Sequence, residues 1–280
     1  MRGVCGQGHY HDVTTLFPLQ WLRGRAVPEQ DRREARLRRV LESAVTQTRY
    51  ARGYGRELAE VPVVDLLAFL CHPERYTVER EAGPAARLVY PLGAAPRTAV
   101  VGRKVEESRR VRCFGSLHDA GLRGWAPQVL AAPLDALRAA GGEAPAHGPL
   151  RNAVIVFSGI LEGPLTAADG DALWARYQVP VFEQFLGFGG ELLAWECEIH
   201  HGLHVREEAA EFEVLEGDRL AVSFLENPRL PVLRLETGLT GRLVREACPC
   251  GAGAPRLVDV RRRMVRREAG AAAVRLAAVG

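Results

Sequence analysis

Between Glu29 and Tyr50 the apolar residues Leu37, Val40, Leu41, Ala44 and Val45 recur at the i, i+3, i+4, i+7, i+8 spacing of one helix face, and arginines and glutamates fill the other face. This spacing predicts an amphipathic helix. A shorter helix is expected from Val63 to Leu70, with Pro73 unable to continue it. Residues 82 to 104 set two short apolar runs, Leu88 to Tyr90 and Ala99 to Val101, among Gly, Ala and Pro, which suits loops and edge strands.

From Pro127 helical and extended patterns alternate. A helix is expected from Pro133 to Ala140 with Gly141 as its C-cap, and Ala153 to Phe157 is the unbroken apolar run of a buried strand. Thr166 then N-caps a helix from Ala167 to Tyr177, and Val179 to Phe185 reads as the next strand. Two strand–helix repeats so close together favour a parallel sheet. From Leu192 the pattern is β: Leu192 to Glu198, then Glu211 to Glu216 and Arg219 to Glu226 around a Gly217-Asp218 turn, then Val232 to Glu236 and Gly241 to Arg245. The expected fold class is α/β, a core of parallel sheet and helices followed by a β-rich C-terminal part. A helical and loop-rich part over residues 1–126 and an α/β-to-β part over residues 127–280 are the expected divisions.

Composition narrows the function classes. The 280 residues are 47% hydrophobic and 25% charged, ordinary for a globular protein, with a formal net charge of only +3. Lys104 is the single lysine, and the nearest approach to a basic patch is Arg261, Arg262, Arg263, Arg266 and Arg267. No aromatic residues interleave with these arginines as a stacking surface would require, so a nucleic-acid partner is not expected and a solvated face is. No stretch reaches the roughly 18 apolar residues of a membrane span, and Met1 to Leu16 carries no hydrophobic signal core, so a cytoplasmic protein is expected.

Six cysteines, at 5, 71, 113, 197, 248 and 250, are too few and too scattered for a disulfide framework. Cys197 and His204 lie seven positions apart, and Cys248-Pro249-Cys250-Gly251 begins 44 residues after His204. Three thiolates and an imidazole make the tetrahedral donor set of a closed, structural zinc site with no position left for water. Pro249 stiffens the loop between the thiolates, while Gly251 and Gly253 let its amides turn toward the sulfurs. His200 or His201 could replace His204, and Cys197 read alone is also compatible with an ordinary buried strand cysteine. A second cluster, Cys5, His9 and His11, has nothing nearby to hold it in place. Cys113 with His118 is a possible thiolate pair, and Ser158-Gly159 lacks the Gly-x-Ser-x-Gly frame of a nucleophile elbow. No catalytic residue is assigned from these patterns.

Three ordered segments carry a family resemblance. Glu196-Cys197 preceding Gly202-Leu203-His204 is one, Arg234-Leu235-Glu236-Thr237-Gly238-Leu239-Thr240-Gly241-Arg242 is the second, and Cys248-Pro249-Cys250-Gly251 with Pro255-Arg256 is the third. Their order and spacing resemble the phenylacetate-CoA ligase family of adenylate-forming enzymes, over about a quarter of the chain. Weaker similarity covers Val154 to Pro164 and the helix at Glu29 to Tyr50. The resemblance implies an adenylate-forming-ligase-like core and assigns zinc to Cys197, His204, Cys248 and Cys250.

The sequence also departs from that family. The Ser/Thr/Gly-rich phosphate loop, whose amides and hydroxyls surround anionic oxygens, would fall between residues 84 and 104, where Thr98 is the only aliphatic hydroxyl. Thr237-Gly238-Leu239-Thr240-Gly241 imitates such a loop but lies in the later motif. Leu239 stands where the resemblance places a ribose-binding aspartate, and Glu191 is at most a displaced remnant of the motif glutamate. A lid segment with its lysine is not expected. ATP and CoA are therefore not expected as ligands. The expected function is a shortened, non-catalytic zinc-binding scaffold or interaction protein with a possible protein partner. The alternative is an AMP-forming acyl- or aryl-CoA ligase with a divergent pocket, or one completed by a second chain.

Overall fold

The computed structural model describes residues 29–55, 57–79, 88–92, 96–140 and 149–263. The Cys5, His9 and His11 cluster, Gly141, Arg266 and Arg267 lie outside the described residues.

Five strands, β1 (Thr98–Val101), β2 (Val111–Phe114), β3 (Val129–Pro133), β4 (Ala153–Gly159) and β5 (Val181–Leu186), pair in parallel in the order β2-β1-β3-β4-β5. β4 is buried along its whole length, which is why its sequence is a run of apolar residues rather than an alternation. Helices α3 (Gly121–Trp125), α4 (Leu134–Ala139) and α5 (Ala167–Tyr177) bring Leu122, Leu134, Leu137 and Leu173 against Leu130, Val154 and Val156 on one face. The start of α5 is fixed by a capping box: Thr166 Oγ1 accepts from the Asp169 amide at 3.2 Å, and the Asp169 carboxylate accepts from the Thr166 amide at 3.1 Å.

The same sheet continues antiparallel through β6 (Leu192–Glu196), β7 (Leu203–Val205), β8 (Ala210–Leu215), β9 (Arg219–Phe224), β10 (Leu235–Val244) and β11 (Arg256–Arg262). The full order is β2-β1-β3-β4-β5-β6-β7-β11-β10-β9-β8, a mixed sheet of 11 strands. It runs across residue 126, since β1 and β2 pair into it ahead of β3. Among the described residues no helix is long and apolar enough to cross a membrane.

The expected elements shift where the chain has tertiary work to do. Helix α1 (Glu29–Gln47) stops short of Tyr50, whose hydroxyl donates to the Pro231 carbonyl at 3.0 Å and accepts from the Leu233 amide at 2.9 Å. α2 (Leu66–Cys71) begins later than Val63 because Val64 is taken by the sheet, exchanging backbone hydrogen bonds with Arg234 and Glu236. Asp65 then caps the helix, accepting from the Ala68 amide at 2.8 Å. Leu88 to Tyr90 is not a strand; its side chains pack against the core cluster that includes Phe157 and Phe182, and the Val89 carbonyl accepts a hydrogen bond from the Gln184 side-chain amide. The two strands expected at Val232–Glu236 and Gly241–Arg245 are one, β10, whose register slips around Gly238, at a φ of 71°. β2, β3, β7 and β11 went unread because short or charge-rich strands leave little alternation to detect.

Candidate metal centre

Cys197 leaves the end of β6, His204 sits in the middle of β7, and Cys248 and Cys250 occupy the turn between β10 and β11. β7 lies between β6 and β11, with His204 paired to both Trp195 and Arg256, so the sheet gathers all three segments at one end. The ligand atoms of these four residues all lie within 4.8 Å of one another. Cys197 Sγ is 3.8 Å from Cys248 Sγ, and Cys250 Sγ is 3.5 Å from His204 Nε2. Zinc bonds of tetrahedral geometry require sulfur–sulfur edges of about 3.8 Å and sulfur–nitrogen edges of about 3.6 Å. The donor set fits that ion. His204 is the histidine brought in; His200 stacks on Phe182 and pairs with Glu196, and His201 is exposed.

Local backbone geometry explains the approach. In the Cys248 turn, the Gly251 amide donates to the Cys248 carbonyl at 2.9 Å with Gly251 at a φ of 87°, and the Ala252 amide points at Cys250 Sγ at 3.5 Å. Between Cys197 and His204 the chain turns through Gly202, at a φ of 94°, where a Cβ would lie 2.5 Å from the Leu257 carbonyl oxygen. Gly202→Ala is therefore expected to cost about 2–4 kcal/mol, from left-handed strain plus displacement of β11, measurable by denaturant unfolding. A cost within error of zero would mean that β11 does not pack this closely.

The electrostatics suit a metal–thiolate centre. Burial pushes the Cys197 thiol up to about 11. Cys248 is lowered: burial opposes ionisation there, but the Cys250 amide and the neighbouring thiols outweigh it. Burial and then the Arg256 charge hold His204 below its usual range, in the neutral form that ligates. Arg256, only 8% exposed, donates to the carbonyls of His201 at 2.7 Å and Glu246 at 3.3 Å, tying together the two ligand-bearing loops. Zinc with three thiolates carries one net negative charge, and Arg256 is placed to balance it.

Other anticipated residues fall elsewhere. Cys113 faces the Val105 backbone, with Sγ 3.8 Å from its carbonyl. Leu239 is 1% exposed in the core, and Thr237 Oγ1 donates to the Leu220 carbonyl at 2.9 Å while accepting from the Leu239 amide at 3.2 Å. Thr240 pairs with Arg219 and Arg261 in the ladder. Of the arginine run, Arg262 donates to the Leu161 carbonyl and Arg263 to Glu236 Oε1 at 2.5 Å. Glu191 is set under a glycine turn: a Cβ on Gly187 would lie 2.5 Å from its Oε1, and Asn227 donates to it at 3.4 Å.

No family model and no curated protein matches the sequence. Solved structures do match. An open conformation of 2-hydroxyisobutyryl-CoA ligase in complex with 2-HIB-AMP and CoA superposes with a TM-score of 0.60 at 16% identity, covering 82% of this chain and 74% of that one. The postadenylation state of that enzyme with R3-HIB-AMP gives 0.61 at 17% identity, over 82% and 67%. Its thioesterification state gives 0.58 at 16%, over 82% and 68%. The chain shares the fold of 2-hydroxyisobutyryl-CoA ligase. At this identity the likeness concerns the fold alone.

One residue of chemical interest was missed in the sequence, Glu183 of β5. It accepts from the Ser158 hydroxyl at 2.5 Å and the Leu165 amide at 2.9 Å. Burial is the main cause raising its pKa to about 7, with Glu196 and Asp169 adding to it and the Ser158 and Leu165 donors opposing. The only signal was an acid on the core-facing side of an apolar strand. A carboxyl whose folded pKa is raised binds its proton more tightly than the unfolded chain does. Its contribution is therefore fully present below about pH 4.5 and lost as pH rises through about 7. Glu183→Gln is expected to be relatively more stabilising at pH 8 than at pH 4.5, by about 3 kcal/mol, in paired denaturant titrations. A difference independent of pH would place the Glu183 pKa in the ordinary range.

Proposed function

We propose that this chain is a metal-braced relative of the phenylacetate-CoA ligases, a scaffold or interaction protein that does not form adenylates itself. The observation that carries this reading lies in β10. Where the resemblance places a ribose-binding carboxylate, Leu239 is packed into the core, and the adjacent Thr237 hydroxyl is spent on the Leu220 carbonyl. Neither side chain is free to hold a sugar or a phosphate. The metal centre takes the structural part, since its four ligands leave no open coordination position. The test is ATP–pyrophosphate exchange by the purified chain with a panel of aryl and fatty acids. No exchange above the buffer rate is expected, and clear exchange would overturn the proposal.

A second reading, a ligase with a divergent pocket or one completed by a partner chain, is favoured by one arrangement. Arg103, whose Nη1 lies against Gly190, and Glu191 follow the carboxyl ends of β1 and β5 within range of each other's charge, on the side of a parallel sheet where ligands bind. Arg103 also lies over the Phe157 ring at 5.4 Å. Exchange activity appearing only after copurifying chains are added back would support that reading.

A further inference from the structure

The three cysteines of the metal centre are unequally shielded. Cys197 and Cys248 are 0% and 4% exposed, whereas Cys250 is half-buried. The turn that follows Cys250 runs through Gly251 and Gly253, both exposed, and a Cβ built on either would meet nothing within 4 Å, so solvent reaches this side of the site. The buried sulfurs stand behind it. The ligand atoms of all four residues lie within 4.8 Å of one another, and Cys197 Sγ is 3.8 Å from Cys248 Sγ. Cys197 belongs to the loop between β6 and β7, and the Cys-Pro-Cys pair to the turn between β10 and β11. One sulfur within reach of a small oxidant therefore has a second sulfur, from a different loop, directly beside it.

We propose that the centre is a redox switch in which hydrogen peroxide exchanges the metal for a disulfide between Cys250 and Cys197. The inference rests on the metal reading above, because a bound zinc keeps its ligand thiols deprotonated and the thiolate is the nucleophile. Cys250 attacks one peroxide oxygen: an S–O bond forms, the O–O bond breaks and hydroxide leaves, giving a sulfenic acid. Cys197 then attacks that sulfur, so the S–S bond forms and the S–O bond breaks with loss of a second hydroxide. Two thiolates give two electrons to one peroxide, and the zinc, left with Cys248 and His204, departs. Sulfurs that start within 4.8 Å close to the roughly 2 Å of a disulfide by local movement of the two loops. A bridge inside Cys248-Pro249-Cys250 is disfavoured, because the proline ring fixes the backbone between the two residues. Oxidation also removes the negative charge that Arg256 balances. That buried guanidinium, bound to the carbonyls of His201 and Glu246, is left uncompensated between the two loops, so the surface they present changes with the redox state.

The test treats the zinc-loaded full chain with hydrogen peroxide at pH 7, following zinc with a chromogenic chelator and bridges by tryptic mapping without reductant. Trypsin separates the partners, since Cys197 lies between Arg176 and Arg206 while Cys248 and Cys250 lie between Arg245 and Arg256. Release of about one zinc is expected, in step with a peptide pair joining Cys250 to Cys197. The rate should at least equal that of free cysteine, of which only about 3% is thiolate at pH 7. Dithiothreitol with added zinc should reverse both changes. Zinc retained at a peroxide concentration that consumes free cysteine would overturn the switch and leave the metal reading standing, whereas a chain holding no zinc before peroxide is added would remove both. Zinc lost with the cysteines driven to sulfinic acid and no bridge, or with a bridge confined to Cys248 and Cys250, would also overturn the proposal.

Discussion

Cys248→Ser and Cys250→Ser are each expected to strip the protein of zinc and lower its thermal midpoint by about 10 °C or more. The wild-type chain should carry about one zinc, because its three thiolates and one imidazole are gathered within 4.8 Å of one another and two of their edges, 3.8 and 3.5 Å, match those of a tetrahedral ion. Serine is nearly isosteric but stays neutral at pH 7, so it removes one of the ligand charges without opening a large cavity. Structural zinc contributes about 10–16 kcal/mol in small peptides; even a third of that, about 4 kcal/mol, corresponds to roughly 10 °C in a chain of this size. Here an ion would join segments far apart in sequence, and its loss would also leave Arg256 buried without that counter-charge. Metal analysis and calorimetry on the same samples test this, with Cys71→Ser, an exposed thiol, as the control. Wild-type protein holding well under half an equivalent of zinc, or melting unchanged in both variants, would remove the metal from the account.

The sequence made the Cys/His cluster legible because a metal site would constrain its four residue types and their spacing. The choice among His200, His201 and His204 was not legible, since it depends on β7, three residues long and recognisable only by its pairing with β6 and β11. The parallel strands β4 and β5 and the helix α5 could be read from apolar runs and a cap. β11 could not, because Arg261 and Arg262 at its end looked like a solvated charge run. Glu183 was hidden for the opposite reason. A single acid in an otherwise apolar strand carries no periodic signal, and its significance comes from Ser158, Leu165 and Glu196, which only the sheet brings around it.

Leu239→Asp, which restores the carboxylate implied by the family resemblance, is expected to destabilise the fold by more than about 4 kcal/mol and to confer no ATP binding. If β10 still lined a nucleotide pocket, the aspartate would face solvent or ligand and the change would be mild. In the structure Leu239 is 1% exposed within the cluster that holds Leu220, Val222, Leu235 and Leu257. The substitution therefore deletes a buried aliphatic side chain, at roughly 2–5 kcal/mol, and puts an ionisable group in its place. The backbone around it cannot open without loss, because the Leu239 amide is bound to Thr237 Oγ1 and that hydroxyl to Leu220. ATP binding would also require phosphate contacts, and one recovered ribose hydrogen bond, at about 0.5–1.5 kcal/mol, does not supply them. Denaturant unfolding gives the stability change, and calorimetric titration with ATP and magnesium gives the affinity. A Leu239→Asp variant that keeps wild-type stability and binds ATP with micromolar affinity would show that β10 still borders a nucleotide site, and the non-catalytic reading would fail with it.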